Sequence, residues 1–167
     1  MALSTNVGTA SNDRAIIEEN DGKALLIYNI AKFTVWPSEG SNQSAPFIFT
    51  LWNDHALSDA FRNIEGLQAQ GRPIRINHHE QDRAPIDCKV LVIPGHQLQA
   101  FIQSKELLLI RPVLTVTTDT SVFEAGAMVL IEVLDDHLSF SVNLAALKAS
   151  GLEISGNLLR HARKVNF

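Results

Sequence analysis

The chain has 167 residues, 46% of them hydrophobic, enough to bury a core as one domain. Its formal charge of −4 argues against a general nucleic-acid or anionic-membrane binder, which needs a basic footprint to displace counterions. The one cysteine, Cys88, excludes an intrachain disulfide and a multi-cysteine metal site, and no run of about 18 apolar residues is present to span a membrane as a helix.

Ala2 to Asn12 is small and polar, the composition of a loosely held terminus, and it lacks the basic and apolar regions of a secretory signal. Two readings follow: a cytosolic protein, or a mature form whose signal has been removed. Arg14 to Glu19 could add a helical turn or two, but Asn20, Asp21 and Gly22 interrupt it. The organisation expected is a loosely ordered arm over residues 1–20 and a single domain over 21–167. A helix then follows, with Ile27, Ile30, Ala31 and Thr34 on one stripe widened by Leu26 and Phe33. Pro37 ends it, because the residue before proline is pushed out of the α region.

After a polar loop, Phe47 to Trp52 is continuously apolar, as a strand covered on both faces should be. Asn53 and Asp54 are placed to cap a helix carrying Leu57, Ala60, Phe61 and Ile64. Pro73 to His78 alternates, so it reads as a half-exposed strand near a sheet edge. Cys88 to Ile93 is a second continuous run, Leu98 to Leu109 a helix and Val113 to Thr117 a third buried strand. This rhythm predicts an α/β fold, a mostly parallel central sheet with flanking helices.

Met128 to Leu134 and His137 to Val142 flank Asp135-Asp136, a two-residue hairpin turn. Pairing Leu134 with His137 puts Val133 with Leu138, Ile131 with Phe140 and Val129 with Val142 on one face. The antiparallel C-terminal hairpin is therefore expected at the edge of the sheet. Asn143 should cap a short helix stopped by Gly151, and Ser155 a final helix with Leu158, Ala162 and Val165 inward and Arg160, Arg163 and Lys164 near its negative end.

No arrangement of residues names a reaction. His78 and His79 are adjacent in a strand and point to opposite faces, and no zinc-ligand spacing occurs. Cys88 opens an apolar strand, where a free cysteine behaves as a small buried hydrophobe. No nucleophile elbow, P-loop or dinucleotide fingerprint is present, and Asp54 is explained by capping. The expectation is no catalytic, metal or cofactor site. The strand ends near Asn53, Gly95 and Thr118-Asp119 are the default small-ligand crevice of such a sheet. Tyr28, Phe33, Trp36 and Trp52 read first as core. Trp36 and Pro37, at a helix exit before a polar loop, read second as a partner-binding surface.

Lys23 to Pro37 (KALLIYNIAKFTVWP), Cys88 to Ile93 (CKVLVI) and Val113 to Thr117 (VLTVT) together carry a family likeness. So do Phe123, Gly126 and Met128, then Asn143, Gly151-Leu152, Ile154 to Leu159 (ISGNLL) and Ala162. In order and spacing, over Lys23 to Val165, the chain resembles the YfiR-like family of small bacterial proteins. The resemblance implies a periplasmic α/β protein, often a homodimer, with no active site. It would restrain an inner-membrane diguanylate cyclase by binding the periplasmic sensor region, lowering cyclic-di-GMP signalling. It makes Tyr28, Phe33, Trp36, Pro37, Phe123, Gly126, Met128 and Asn143 the family-motif or partner-binding positions. The family's Gly-Gly before the hairpin methionine is Gly126-Ala127 here, and the several cysteines of better-known relatives are reduced to Cys88. Two alternatives stand beside this one: a small-ligand-binding sensor module, and an α/β enzyme with an unrecognised site.

Overall fold

A computed structural model describes residues 7–37 and 44–167. Residues 38–43 of the polar loop after Pro37 and residues 1–6 of the expected loose arm lie outside the described residues. From Val7 the chain is helical: α1 runs Val7–Lys32 without a break at Asn20-Asp21-Gly22. A Cβ on Gly22 would lie 2.7 Å from Leu138 Cδ1, so the bare glycine is what lets the helix lie close over the sheet. From Ala10 to Glu18 α1 is exposed, and its buried stripe is Ala24, Ile27, Ile30 and Ala31.

The helix ends four residues earlier than Pro37 alone would require. Thr34 and Val35 form a short strand, β1 (Thr34–Val35), and Thr34 Oγ1 donates to the Ile30 carbonyl at 2.8 Å, satisfying a last-turn acceptor. Thr34, expected on the helical stripe, is buried in this strand instead.

The main strands are β2 (Phe47–Trp52), β3 (Gln68–Ala69), β4 (Arg72–His79), β5 (Val90–Ile93) and β6 (Leu114–Thr117). They are followed by β7 (Val129–Leu134), β8 (His137–Asn143), β9 (Glu153–Ile154) and β10 (Lys164–Asn166). Between them lie α2 (Ser58–Arg62), α3 (Leu98–Leu109), α4 (Thr120–Glu124), α5 (Leu144–Ala149) and α6 (Gly156–Leu159). The eight-stranded sheet has the order β10-β8-β7-β6-β5-β2-β4-β3, and β4, β2, β5, β6 and β7 are mutually parallel. β1 and β9 pair apart from it.

The sheet is covered on both faces, which explains the continuous apolar runs. Phe47, Phe49, Leu51, Val90, Val92, Leu114 and Val116 pack with α1, α2 and α5. The alternate residues Leu91, Ile93 and Val113 pack with Phe101 and Leu108 of α3 and Val122 of α4.

The hairpin has the predicted register, Leu134 opposite His137 through Val129 opposite Val142. Asp135 and Asp136 sit at φ 50° and 61°, the left-handed pair that a two-residue turn demands. One short strand is added beyond it. The expected final helix stops at Leu159, and Lys164–Asn166 pairs parallel with Ser141–Asn143 as β10. Arg163 consequently does not sit at a helix end; its Nη1 pairs with Glu132 Oε2 at 2.9 Å.

Candidate functional site

At the carboxyl ends of the strands, between β2 and β5, the order of strand addition reverses, since β4 lies on one side of β2 and β5 on the other. Such a switch point leaves a crevice, because the connections leave β2 and β5 on opposite faces. Here it encloses about 500 Å³, lined among others by Asn53, Asp54, His55, His96 and Thr118, with Asn20 and Lys23 supplied by α1. This is the location the strand ends predict.

The crevice is built from backbone as much as side chains. Asn53 adopts φ 50°, and its carbonyl oxygen accepts from His96 Nε2 at 2.8 Å, which ties the β5 exit to the β2 exit. Asp54 is buried, and its Oδ1 accepts the Leu57 N–H at 3.2 Å. It thus closes the turn leading into α2 rather than capping the helix itself. Lys23 Nζ is held by Glu19 Oε1 at 2.7 Å, and Asn20 Nδ2 donates to the Ala56 carbonyl at 3.2 Å.

Burial raises the Asp54 carboxyl above its ordinary value, opposed by the Leu57 N–H, His96, the Ala56 N–H and His55. The folded state therefore holds this proton to higher pH than the unfolded chain. The associated stability is full below the unfolded value and is lost as pH rises through the folded one. Asp54→Asn keeps an acceptor for Leu57 and removes the buried charge, so urea unfolding at pH 7 should find it at least as stable as wild type. Asp54→Ala orphans the Leu57 N–H and should lose about 1 kcal/mol. An Asn variant weaker than the Ala variant would show that the charge itself holds the turn.

The family-motif positions fall in two groups. In the first, the Tyr28 hydroxyl donates to the Gln68 carbonyl at 2.9 Å, and Lys32 Nζ lies 5.1 Å from its ring centre. Phe33, expected to lay α1 on the sheet, is instead 53% exposed at the turn into β1, next to Val35 at 57%. Trp36 is half-buried: its ring meets Phe47 edge-on at 5.1 Å and 88°, and its Nε1 donates to the Pro112 carbonyl at 2.9 Å. Pro37 is exposed. Alternation explains this: once residues 34–35 are extended, Thr34 and Trp36 point inward while Phe33 and Val35 point out.

The second group surrounds the start of the hairpin. Met128 is fully buried, its N–H shared between the carbonyl and hydroxyl of Thr115, and its own carbonyl accepts from the Asn143 N–H at 2.8 Å. Asn143 Oδ1 accepts from the Ala146 N–H at 3.1 Å, the predicted cap of α5. Gly126 has φ 126°, and a Cβ there would come within 2.7 Å of Lys105 Cε, so this first glycine position is conformationally required. Ala127, at the second, lies outside the positive-φ residues, so its departure from Gly-Gly carries no strain. Phe123 and Asn143 share a surface concavity with Glu132 and Arg163.

Among the described residues, no three metal-ligating side chains converge, and no helix is long and apolar enough to cross a membrane. His78 Nδ1 lies 3.4 Å from Ser58 Oγ, and His79 Nε2 lies 2.6 Å from the Arg83 carbonyl oxygen, so the two histidines serve different neighbours. Sequence reasoning missed the exposure of Val35, whose signal was the β-branched Thr-Val pair before Trp-Pro.

Comparison with known proteins agrees with the fold. A crystal structure of a conserved domain protein from Vibrio cholerae O1 biovar eltor str. N16961 superposes with a TM-score of 0.54 at 12% identity. The match covers 88% of this chain and 60% of that one, so this chain spans less than two thirds of its neighbour's length. A search of the curated proteins finds no match. Residues 20–163 match the family described as YfiR/HmsC-like, which takes in α1 from the crevice residue Asn20 onward, the parallel strands β4, β2, β5, β6 and β7, and the hairpin. The chain belongs to the YfiR/HmsC-like family.

Proposed function

We propose that the protein is a periplasmic regulator that binds the periplasmic sensor region of an inner-membrane diguanylate cyclase and lowers cyclic-di-GMP synthesis, working as a homodimer and without a chemical step. Membership of the YfiR/HmsC-like family across residues 20–163 is the observation that carries this reading. The partner surface we assign is the helix exit, where Phe33 and Val35 stand exposed side by side beside Pro37. Exposed aromatic and branched side chains have few rotamers to lose on docking.

The test is capture of the protein by the isolated periplasmic regions of candidate cyclases, at about 50 μM, a concentration that detects even weak complexes. Wild type should be captured. A Phe33→Ser/Val35→Ser double variant should bind at least about tenfold more weakly with an unchanged near-ultraviolet circular dichroism spectrum. Absence of capture by every candidate would overturn the regulatory reading, whereas capture of the double variant would move the surface elsewhere. The switch-point crevice favours a second reading, a small-ligand sensor module, for which stabilisation by a metabolite in a thermal-shift screen is the discriminating result.

A further inference from the structure

A different cavity, of about 340 Å³, opens at the amino ends of the parallel strands, the end of the sheet opposite the switch-point crevice. Its walls come from the starts of β2 and β4 and from the residues leading into β5 and β6. Ile48, Ile86, Pro46, Pro112 and Val113 make it apolar, and its charged lining is Arg72, Lys89 and Arg111 with Asp87.

The two guanidinium groups are in different states. Arg72 is a fixed part of the wall, with Nε donating to the Ala45 carbonyl at 2.6 Å and Nη2 to the Pro46 carbonyl at 3.2 Å. Arg111 also lines the cavity, and among the described residues its Nε is buried without a hydrogen-bond partner. A buried charged donor left unmade is costly, and a turn of the Arg111 side chain onto a bound anion would satisfy it. A planar guanidinium matches a carboxylate with two parallel hydrogen bonds, and a compact apolar cavity rewards a ligand that brings hydrocarbon with it. Cys88, also in the wall, stays a neutral thiol because burial pushes it up to about 11, so it adds no opposing charge.

We propose that this cavity binds a small aliphatic monocarboxylate, with the carboxylate on Arg111 and the hydrocarbon against Ile48, Ile86 and Val113. The site does not depend on the cyclase reading, because occupancy is measured on the protein alone. It also carries its own reporter. Trp36 Nε1 donates to the carbonyl of Pro112, a wall residue, while Trp52 Nε1, at the far end of β2, donates to the Gln81 carbonyl just after β4.

The experiment is a calorimetric titration paralleled by tryptophan emission, using 4-methylpentanoate, its neutral amide 4-methylpentanamide, and inorganic phosphate as probes. Saturable binding of 4-methylpentanoate with a Kd near or below about 1 mM is expected, with the amide at least about tenfold weaker. Arg111→Gln should lose at least about tenfold in affinity for the acid, while Asp54→Asn in the switch-point crevice should bind like wild type. Should Arg111→Gln fail to fold, Ile86→Asp, at a partly buried wall position, sets a like charge beside the bound carboxylate and should abolish binding. No saturation at about 10 mM, equal affinity for acid and amide, or an acid affinity unchanged in these variants would overturn the proposal. Phosphate binding as tightly as 4-methylpentanoate would overturn it too, by showing an anion sink with no use for the apolar wall.

Discussion

Trp36→Ala is expected to lower the unfolding free energy by about 3 kcal/mol, which chemical denaturation would register as a shifted midpoint with an unchanged slope. Two losses add. The indole edge leaves Phe47, itself 1% exposed, with an unfilled space above its ring. The Pro112 carbonyl also loses the Nε1–H that approaches it at 2.9 Å. Trp36→Phe separates them: it keeps a ring against Phe47 and should cost only about 1 kcal/mol, the scale of one hydrogen bond. Phe33→Ser, three residues earlier and half exposed, should change stability by less than about 0.5 kcal/mol. Equal losses at Phe33 and Trp36 would contradict the inward and outward alternation on which the partner surface is placed.

That alternation marks where local pattern ceased to be sufficient. The hairpin was legible residue by residue, because the alternation of His137–Val142 and a two-residue turn leave one register that keeps Ile131 and Phe140 on the same face. The parallel strands were legible for a related reason: runs such as Phe47–Trp52 are apolar on both sides only when helices cover both faces. The continuity of α1 was not legible, since Asn20-Asp21-Gly22 is a poor helical sequence by propensity, while the close approach of Leu138 that suits a glycine there comes from far away in the chain. The C-terminal strand was hidden in the same way. Leu158, Ala162 and Val165 have helical spacing, yet Val165 finds the edge of β8 and pairs beside Val142. Two-residue strands such as β1 and β9 are too short to impose any period.

The site divides along the same line. The switch-point crevice was placed by topology, because it needs only the order of the strands and the residues that follow them. The cavity at the amino ends needs Ile48, Ile86 and Arg111 to meet, and nothing in their sequence spacing announces it. The same holds for Phe123 and Asn143, which look like separate motif residues until the hairpin folds them into one concavity with Arg163.

Cys88 should be among the slowest thiols to react with a disulfide reagent in the native protein. It is 8% exposed, and burial lifts its pKa to about 11, with the Thr50 hydroxyl lowering it and Asp87 raising it. At pH 8 a pKa of about 11 leaves roughly a hundredth or less of the thiolate an ordinary cysteine would have. Labelling should therefore run at least about tenfold slower than after unfolding in guanidinium, before any steric hindrance is counted, because the higher nucleophilicity of a high-pKa thiolate offsets part of its scarcity. The same shift fixes a stability effect and its sign. The folded protein keeps the proton where the unfolded chain releases it, so the stabilisation is full below the unfolded value near pH 9 and is lost as pH rises toward about 11. Its size is on the order of 2–3 kcal/mol, and Cys88→Ala should remove this pH dependence between those limits. A native labelling rate within about tenfold of the unfolded one would mean that the β5 entrance opens readily. In that event Cys88 could form a disulfide between two copies, the one protein disulfide a single cysteine allows.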